Sequence, residues 1–177
     1  MTKRQFYDWQ TAGGVDDVMR LVDILERAEV AWCVIGGVAV NHWAAEPMVT
    51  RDVDIVVAAD QVDRVIQLLS EAGFDATRHE WPVNFQGKSQ VSIQLSTEEF
   101  YRDFPARSVP ADVHGILLRV ASLEDTLAGK IKAWGEPERR ASKRMKDLTD
   151  ITRLLEAHPE VRGAIPDRLK VILENNS

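Results

Sequence analysis

The chain has 177 residues, a formal net charge of −6 and a hydrophobic fraction of 45%. That is the size of one domain, or of one domain with a helical appendage, and the acidic balance argues against a protein that coats nucleic acid with a broad basic face. With one cysteine, no apolar run near the roughly 18 residues of a membrane span and no apolar leader, the chain reads as cytoplasmic, without a membrane partner.

Residues Met1 to Gly14 read as an exposed lead-in, with Phe6, Tyr7 and Trp9 available to pin it to the body. Val15, Val18, Leu21, Val22, Leu25 and Ala28 recur at helical spacing and predict a helix with one buried stripe; Asp16 and Asp17 at its start suit the helix dipole. Ala31 to Ile35 is a continuous apolar run, expected to be a central strand. Gly36 and Gly37 end it in a turn, and a helix follows over Val38 to Ala45, with Pro47 beyond its end. Asp52 to Ala58 reads as a second strand. Asp60 is expected to cap the next helix, which Gly73 stops.

Phe74 to Phe85 reads as one or two short strands around Pro82. Gln90 to Ser96 alternates strictly, with Val91, Ile93 and Leu95 on one face and Gln90, Ser92, Gln94 and Ser96 on the other, as a half-buried strand does. Glu98 to Phe104 reads as a single helical turn and Ile116 to Val120 as a strand. Only helix follows Ser122. Ser122 to Asp125 resembles a capping box, and Leu123, Leu127, Ile131 and Trp134 form an inner stripe. Ser142 to His158 is predicted helical with Met145, Leu148, Ile151, Thr152 and Leu155 inward, and Pro166 to Glu174 is a last short helix.

The stretch Thr50-Arg51-Asp52-Val53-Asp54-Ile55 carries the chemistry. Alternate residues of a strand share a face, so Asp52 and Asp54 point one way while Val53 and Ile55 point into a core. Two fixed carboxylates side by side repel unless a cation lies between them. Hard oxygen ligands suit Mg²⁺ carrying the phosphates of a nucleotide. Gly36 and Gly37 fit that use, because they allow close approach of the backbone to a phosphate and open a helix whose N-terminus favours anions. Thr50 and Arg51 stand just before the acids and can hold phosphates; a plain surface position is the other reading of Arg51. Cys33 reads as an inert core thiol.

The run Gly36-Gly37, a gap of about fifteen residues, then Asp52-Val53-Asp54 resembles the core motif of polymerase-β-type nucleotidyltransferases. Later residues narrow the resemblance to AbiEii-like toxins and minimal nucleotidyltransferases, over roughly Val15 to Ala157. The resemblance implies an α/β (α+β) fold: a mixed β-sheet core with flanking helices over residues 1–121, and a helical C-terminal part, 122–177, closing the cleft. In such toxins a helical lysine contacts the nucleotide, and here the frame reads Leu127-Ala-Gly-Lys130-Ile-Lys-Ala133. A snorkelling surface lysine remains the other reading of Lys130. The Lys/Arg-Asp-x-x-Asp run of the family matches Lys146-Asp147-Leu-Thr-Asp150, whose first acid is the one given a role. Asp147 is thus expected to orient Lys130 or act as a base, and Asp150 to lie on a solvated helix face.

Arg139, Arg140, Lys143, Arg144 and Lys146 form a basic cluster at a helix N-terminus, where the dipole disfavours cations. A bound triphosphate or RNA end would explain it; a solvated charge run is the alternative. Arg144 is the member assigned here to the nucleotide.

The pattern breaks in two places. The family commonly has an arginine two residues before the threonine, and here that place is Met48. The family also carries a third carboxylate on the strand matching Gln90 to Ser96, where this chain has Gln94. An amide oxygen can ligate Mg²⁺ but carries no charge and takes no proton.

The resemblance therefore implies a Mg²⁺-dependent, ATP- or other NTP-using nucleotidyltransferase with Asp52, Asp54, Lys130 and Asp147 as catalytic residues. Gly36, Gly37, Thr50, Arg51 and Arg144 would bind nucleotide, and Asp52, Asp54 and Gln94 would hold the metal. The acceptor would be tRNA, a protein or a small molecule, and an antitoxin protein would be a partner. A catalytically weakened nucleotide-binding module and an antibiotic-type small-molecule nucleotidyltransferase are the alternatives.

Overall fold

The computed structural model describes residues 14–50, 52–113 and 115–174. The expectations for the lead-in and for Arg51 lie outside these residues. Helix α1 (Val15–Arg27) precedes strand β1 (Trp32–Ile35), which runs directly into helix α2 (Gly36–Trp43). Strand β2 (Asp52–Val57) and helix α3 (Val62–Glu71) follow, then strands β3 (Asp75–Arg78), β4 (Pro82–Gln86) and β5 (Ser92–Ser96). After two short 3₁₀ turns come β6 (Val109–Val113), β7 (Ile116–Val120) and helices α4 (Leu123–Gly135), α5 (Ala141–Ala157) and α6 (Asp167–Glu174).

The strands form one mixed sheet in the order β3-β4-β5-β2-β1-β7-β6. β2 pairs with β5, and β1 with β7, in parallel, and the other neighbours are antiparallel. One face is a continuous apolar layer. Trp32 and Val34 of β1 and Val53, Ile55 and Val57 of β2 pack there against Val18, Leu21 and Leu25 of α1 and Val65 and Leu69 of α3. Each such aliphatic side chain, removed from water, contributes roughly 1.5–3 kcal/mol before the entropy of ordering it is counted. The opposite face has smaller apolar patches and, between them, the carboxylates. There Cys33, Ile35 and Val56 meet Tyr101 and Phe104. A second core joins Val40 of α2 and the following Ala44 to α4, α5 and α6 through Leu127, Trp134, Ile151, Leu154 and Leu169, so the C-terminal helices are anchored on α2.

Several local expectations are corrected. Helix α2 begins at Gly36 itself, with no intervening turn. Asp60 lies in a 3₁₀ turn ahead of α3 and makes no side-chain cap; its carboxylate accepts from Gln61 instead. Val109 to Val113 is also a strand, forming a hairpin with β7 whose turn has Gly115 at φ +92°. It escapes the apolar pattern because it is a sheet edge, where Pro110 needs no ladder donor. On α5, Met145 is 61% exposed, and the buried face comprises Asp147, Asp150, Ile151, Leu154 and Leu155.

Candidate active site

Ile35 pairs with Asp54 across β1 and β2, and the next residue, Gly36, opens α2. The helix N-terminus therefore sits beside the acid-bearing strand. Gly36 has φ +63°, and a Cβ built on it would lie 2.2 Å from Oδ2 of Asp54. A Cβ on Gly37 would lie 3.0 Å from Oγ1 of Thr50. Both glycines thus serve a close approach, and the nearest partners are Asp54 and Thr50. No side chain caps α2, and Ile35, Gly36 and Gly37 line a cleft of about 630 Å³. Unsatisfied helix amides at such an end favour an anion.

Asp52 and Asp54 lie on the floor of this cleft. The parallel register sets Asp52 opposite Ser92 and Asp54 opposite Gln94, and Gln94 also lines the cleft. Burial, and then the neighbouring Asp52 charge, push the Asp54 carboxyl up to about 6, against the pull of Lys130, Lys146 and Lys143. A carboxylate disfavoured in this way is relieved by a bound cation. Asp52, Asp54 and the amide oxygen of Gln94 are hard donors that suit Mg²⁺. Thr50 is buried and its hydroxyl donates to the carbonyl of Asp52 at 3.2 Å, fixing the chain as it enters β2.

Across the cleft, α4 and α5 contribute an ionic network. Nζ of Lys130 lies 2.8 Å from Oδ2 of Asp150 and 3.2 Å from Oδ1 of Asp147. Burial alone would lower the Lys130 pKa, but Asp150 and Asp147 more than offset it and hold the ammonium charged. Arg139 Nε donates to Oδ2 of Asp147 at 2.8 Å. Arg153 Nη1 donates to Oδ1 of Asp150 at 2.9 Å, and its Nη2 reaches Oδ1 of Asn41 on α2 at 3.0 Å. All three residues Lys130, Asp147 and Asp150 are more than nine-tenths buried.

Asp150 is therefore not on a solvated face: it is buried and paired with two cations inside the protein. Asp147 has a cation on each oxygen, so both of its oxygens are already engaged. Lys130 lines the cleft with an acid on either side, and is not a snorkelling surface lysine.

The basic cluster divides. Arg139, Lys143 and Lys146 line the cleft. Arg144 does not: its guanidinium donates to the carbonyls of Glu136 and Pro137 at 2.7 and 3.3 Å, bracing the α4–α5 loop. Met48, at the family's arginine position, is 41% exposed, and both its backbone groups are held by Asn41. Sequence reasoning missed Asp150, and also Trp81, Glu98, Tyr101 and Gly129, which line the cleft as well. For Asp150 the three-residue spacing from Asp147 was a usable signal, since it puts both on one helix side.

The chain matches the family model described as nucleotidyl transferase AbiEii toxin, Type IV TA system, over residues 24–176. It belongs to this AbiEii nucleotidyl transferase family. Solved structures share the fold. The lincomycin-bound lincosamide antibiotic adenylyltransferase LnuA is 14% identical with a TM-score of 0.56, the alignment covering 79% of this chain and 97% of that one. The antibiotic-resistance factor ANT(2'')-Ia is 10% identical with a TM-score of 0.62, covering 94% and 98%. A nucleotidyltransferase-like protein of Paracoccidioides brasiliensis is 20% identical with a TM-score of 0.58, covering 95% and 87%. No curated protein matches the chain. An AbiEii-family chain with this cleft is a nucleotidyltransferase in family and fold; among the described residues, no helix is long and apolar enough to cross a membrane.

Proposed function

We propose that this AbiEii-family protein transfers a nucleotidyl group from an NTP to a hydroxyl acceptor: tRNA, a protein side chain or a small molecule. The observation that carries this reading is the alignment of Asp52, Asp54 and Gln94 on one cleft floor, with an uncapped helix N-terminus on one side and Lys130, Lys143 and Lys146 opposite. Asp52, Asp54 and Gln94 would hold Mg²⁺, which when bound supplies charge neutralisation at the phosphates. The α2 amides and the α5 lysines bind the triphosphate tail. Lys130, fixed by Asp147 and Asp150, faces charge that builds on the transferred group. The acceptor hydroxyl gives its proton to solvent, its oxygen attacks the α-phosphorus, the bond to the bridging oxygen breaks and pyrophosphate leaves. In this chemistry the protein mainly positions reactants and stabilises charge. A toxin with an antitoxin as cellular partner is the setting that the family description suggests, and a cytoplasmic location is part of the proposal.

A specific observation favours a second reading. Gln94 cannot take the acceptor proton and Asp147 is held between Lys130 and Arg139, so the same site suits a slow enzyme or a module that binds nucleotide without transfer.

Incubation with each α-labelled NTP, Mg²⁺ and total tRNA, protein or hydroxylated small molecules tests the proposal. Label transfer that Asp54→Asn abolishes supports it. Nucleotide binding with no transfer to any acceptor supports the second reading, and no nucleotide binding overturns both.

A further inference from the structure

We infer that Trp81 is a stacking platform for the acceptor, and that the acceptor carries a flat aromatic ring or nucleobase beside its reacting hydroxyl. The inference rests on the proposed nucleotidyl transfer and deepens it.

Trp81 is 55% exposed and lines the cleft. An indole left in water at a cleft mouth forgoes the burial that dominates its energetics elsewhere in a fold. It is not held loosely. The backbone amide of Thr97 donates to the carbonyl of Trp81 at 3.1 Å, and the hydroxyl of Thr97 bonds the same oxygen. The amide of His79 donates to the carbonyl of Pro82 at 2.9 Å, closing the β3–β4 turn, and Pro82 pairs with Ser96 of β5. A rigid backbone thus presents a large, exposed π-face.

The sheet order says which reactant meets it. In phosphoryl transfer the attacking and leaving oxygens lie on opposite sides of the transferred phosphorus. The anion-favouring helix end in the cleft is that of α2, which follows β1. Pyrophosphate therefore departs on the β1 side of Asp52 and Asp54. The acceptor approaches from the other side, across β5 and then β4, where Gln94, Ser96, Pro82 and Trp81 line the cleft in that direction. Glu98, which follows β5, is already paired with Lys132 at 2.6 Å. Stacking on the exposed indole is what this wall offers. Bases and other flat rings stack on Trp with little regard to their identity.

The test uses the full chain as wild type, Trp81→Ala and Trp81→Phe, with Mg²⁺ and α-labelled NTP. Adenosine is the small ring-bearing acceptor, total tRNA the polymeric one and glycerol the acceptor without a ring. For whichever ring-bearing acceptor wild type uses, Trp81→Ala raises the acceptor KM about tenfold or more, leaves the NTP KM in place, and is largely rescued by Trp81→Phe. With the nucleotide site filled by a non-hydrolysable NTP, the same acceptor quenches tryptophan fluorescence in wild type and not in Trp81→Phe. Use of adenosine alone points to a small-molecule source and use of tRNA alone to an RNA end. Equal acceptor KM in wild type and Trp81→Ala overturns the platform, as does an equal loss with glycerol, or wild type that modifies only glycerol or water. Wild type that binds nucleotide and labels nothing fails at the underlying reaction, a result distinct from any of these.

Discussion

Asp54 and Gln94 stand opposite each other on adjacent parallel strands, so an acid and an amide share one rung of the cleft floor. Side chains on such a rung lie close enough to act on the same ligand. An amide there lends an oxygen to a cation but accepts no proton. Gln94→Glu is therefore expected to raise the transfer rate by at least about tenfold, since a positioned general base is commonly worth roughly 10²–10⁴. It should also lower the Mg²⁺ concentration giving half-maximal rate. Initial rates across a Mg²⁺ titration check both, and an unchanged rate rules out the missing base as the limiting feature.

Gly36 and Gly73 both have positive φ, at +63° and +88°, but in different surroundings. A Cβ at Gly36 would meet Asp54 Oδ2 at 2.2 Å, whereas at Gly73 nothing lies within 4 Å. Gly73→Ala should cost about 1–2 kcal/mol from the left-handed backbone alone and leave transfer intact. Gly36→Ala carries the same strain and also displaces the carboxylate, so Mg²⁺-dependent transfer should fall by more than its loss of stability explains. Urea unfolding beside rate measurements separates the two.

The order of strands and helices was legible because apolar periodicity carries it. The acid-bearing strand was legible because Val53 and Ile55 alternate with Asp52 and Asp54. The inner face of α5 was not. Its pattern of hydrophobic residues selects Met145 and Leu148, yet the helix turns Asp147 and Asp150 inward, where Lys130, Arg139 and Arg153 neutralise them. Lys130 lies on another helix, so apart from the three-residue spacing of the two acids nothing local in the sequence marks them as buried. Arg144 misled for a related reason: a guanidinium beside a cleft can equally satisfy the carbonyls of its own loop. Trp81 lies in a turn between short strands, where nothing in the spacing announces a cleft.

Lys130 shares its ammonium between Asp147 and Asp150, and each acid has a second partner on an arginine. Removing one member strands buried charge. Asp150→Ala is expected to destabilise the fold by roughly 3–5 kcal/mol, to weaken the tie through Arg153 to Asn41 on α2, and to reduce transfer by letting Lys130 turn toward Asp147. The isosteric Asp150→Asn keeps an oxygen for one donor but turns an NH2 toward the other and removes the charge, so it should recover only part of the stability while still lowering the rate. Chemical unfolding and transfer rates for the pair of variants give the comparison. An Asp150→Ala protein as stable as wild type would contradict the buried network.

Asp17 holds the turn that leads into the strand of Gln94. Its carboxylate accepts from the amides of Ser89 at 2.7 Å and Lys88 at 3.3 Å, and from Arg20 at 3.4 Å. Gly87 lies so close that a Cβ there would sit 2.5 Å from the carboxylate. These bonds clamp the β4–β5 turn, and a slip of one residue in β5 would turn Gln94 to the other face. Burial raises the Asp17 pKa, but the bonds from Ser89 and Lys88 and the Arg20 charge outweigh it and hold the carboxyl below its ordinary 3.8. A depressed acid gives stability that is present above the unfolded value and is lost as the pH falls through the folded one. Asp17→Asn should therefore lower stability at neutral pH by about 1–3 kcal/mol, and the gap to wild type should narrow as the pH drops below 3.8. Urea midpoints between neutral and strongly acidic pH measure it. Because the turn sets the β5 register, the same variant should lose Mg²⁺ affinity at neutral pH even at temperatures where it remains folded.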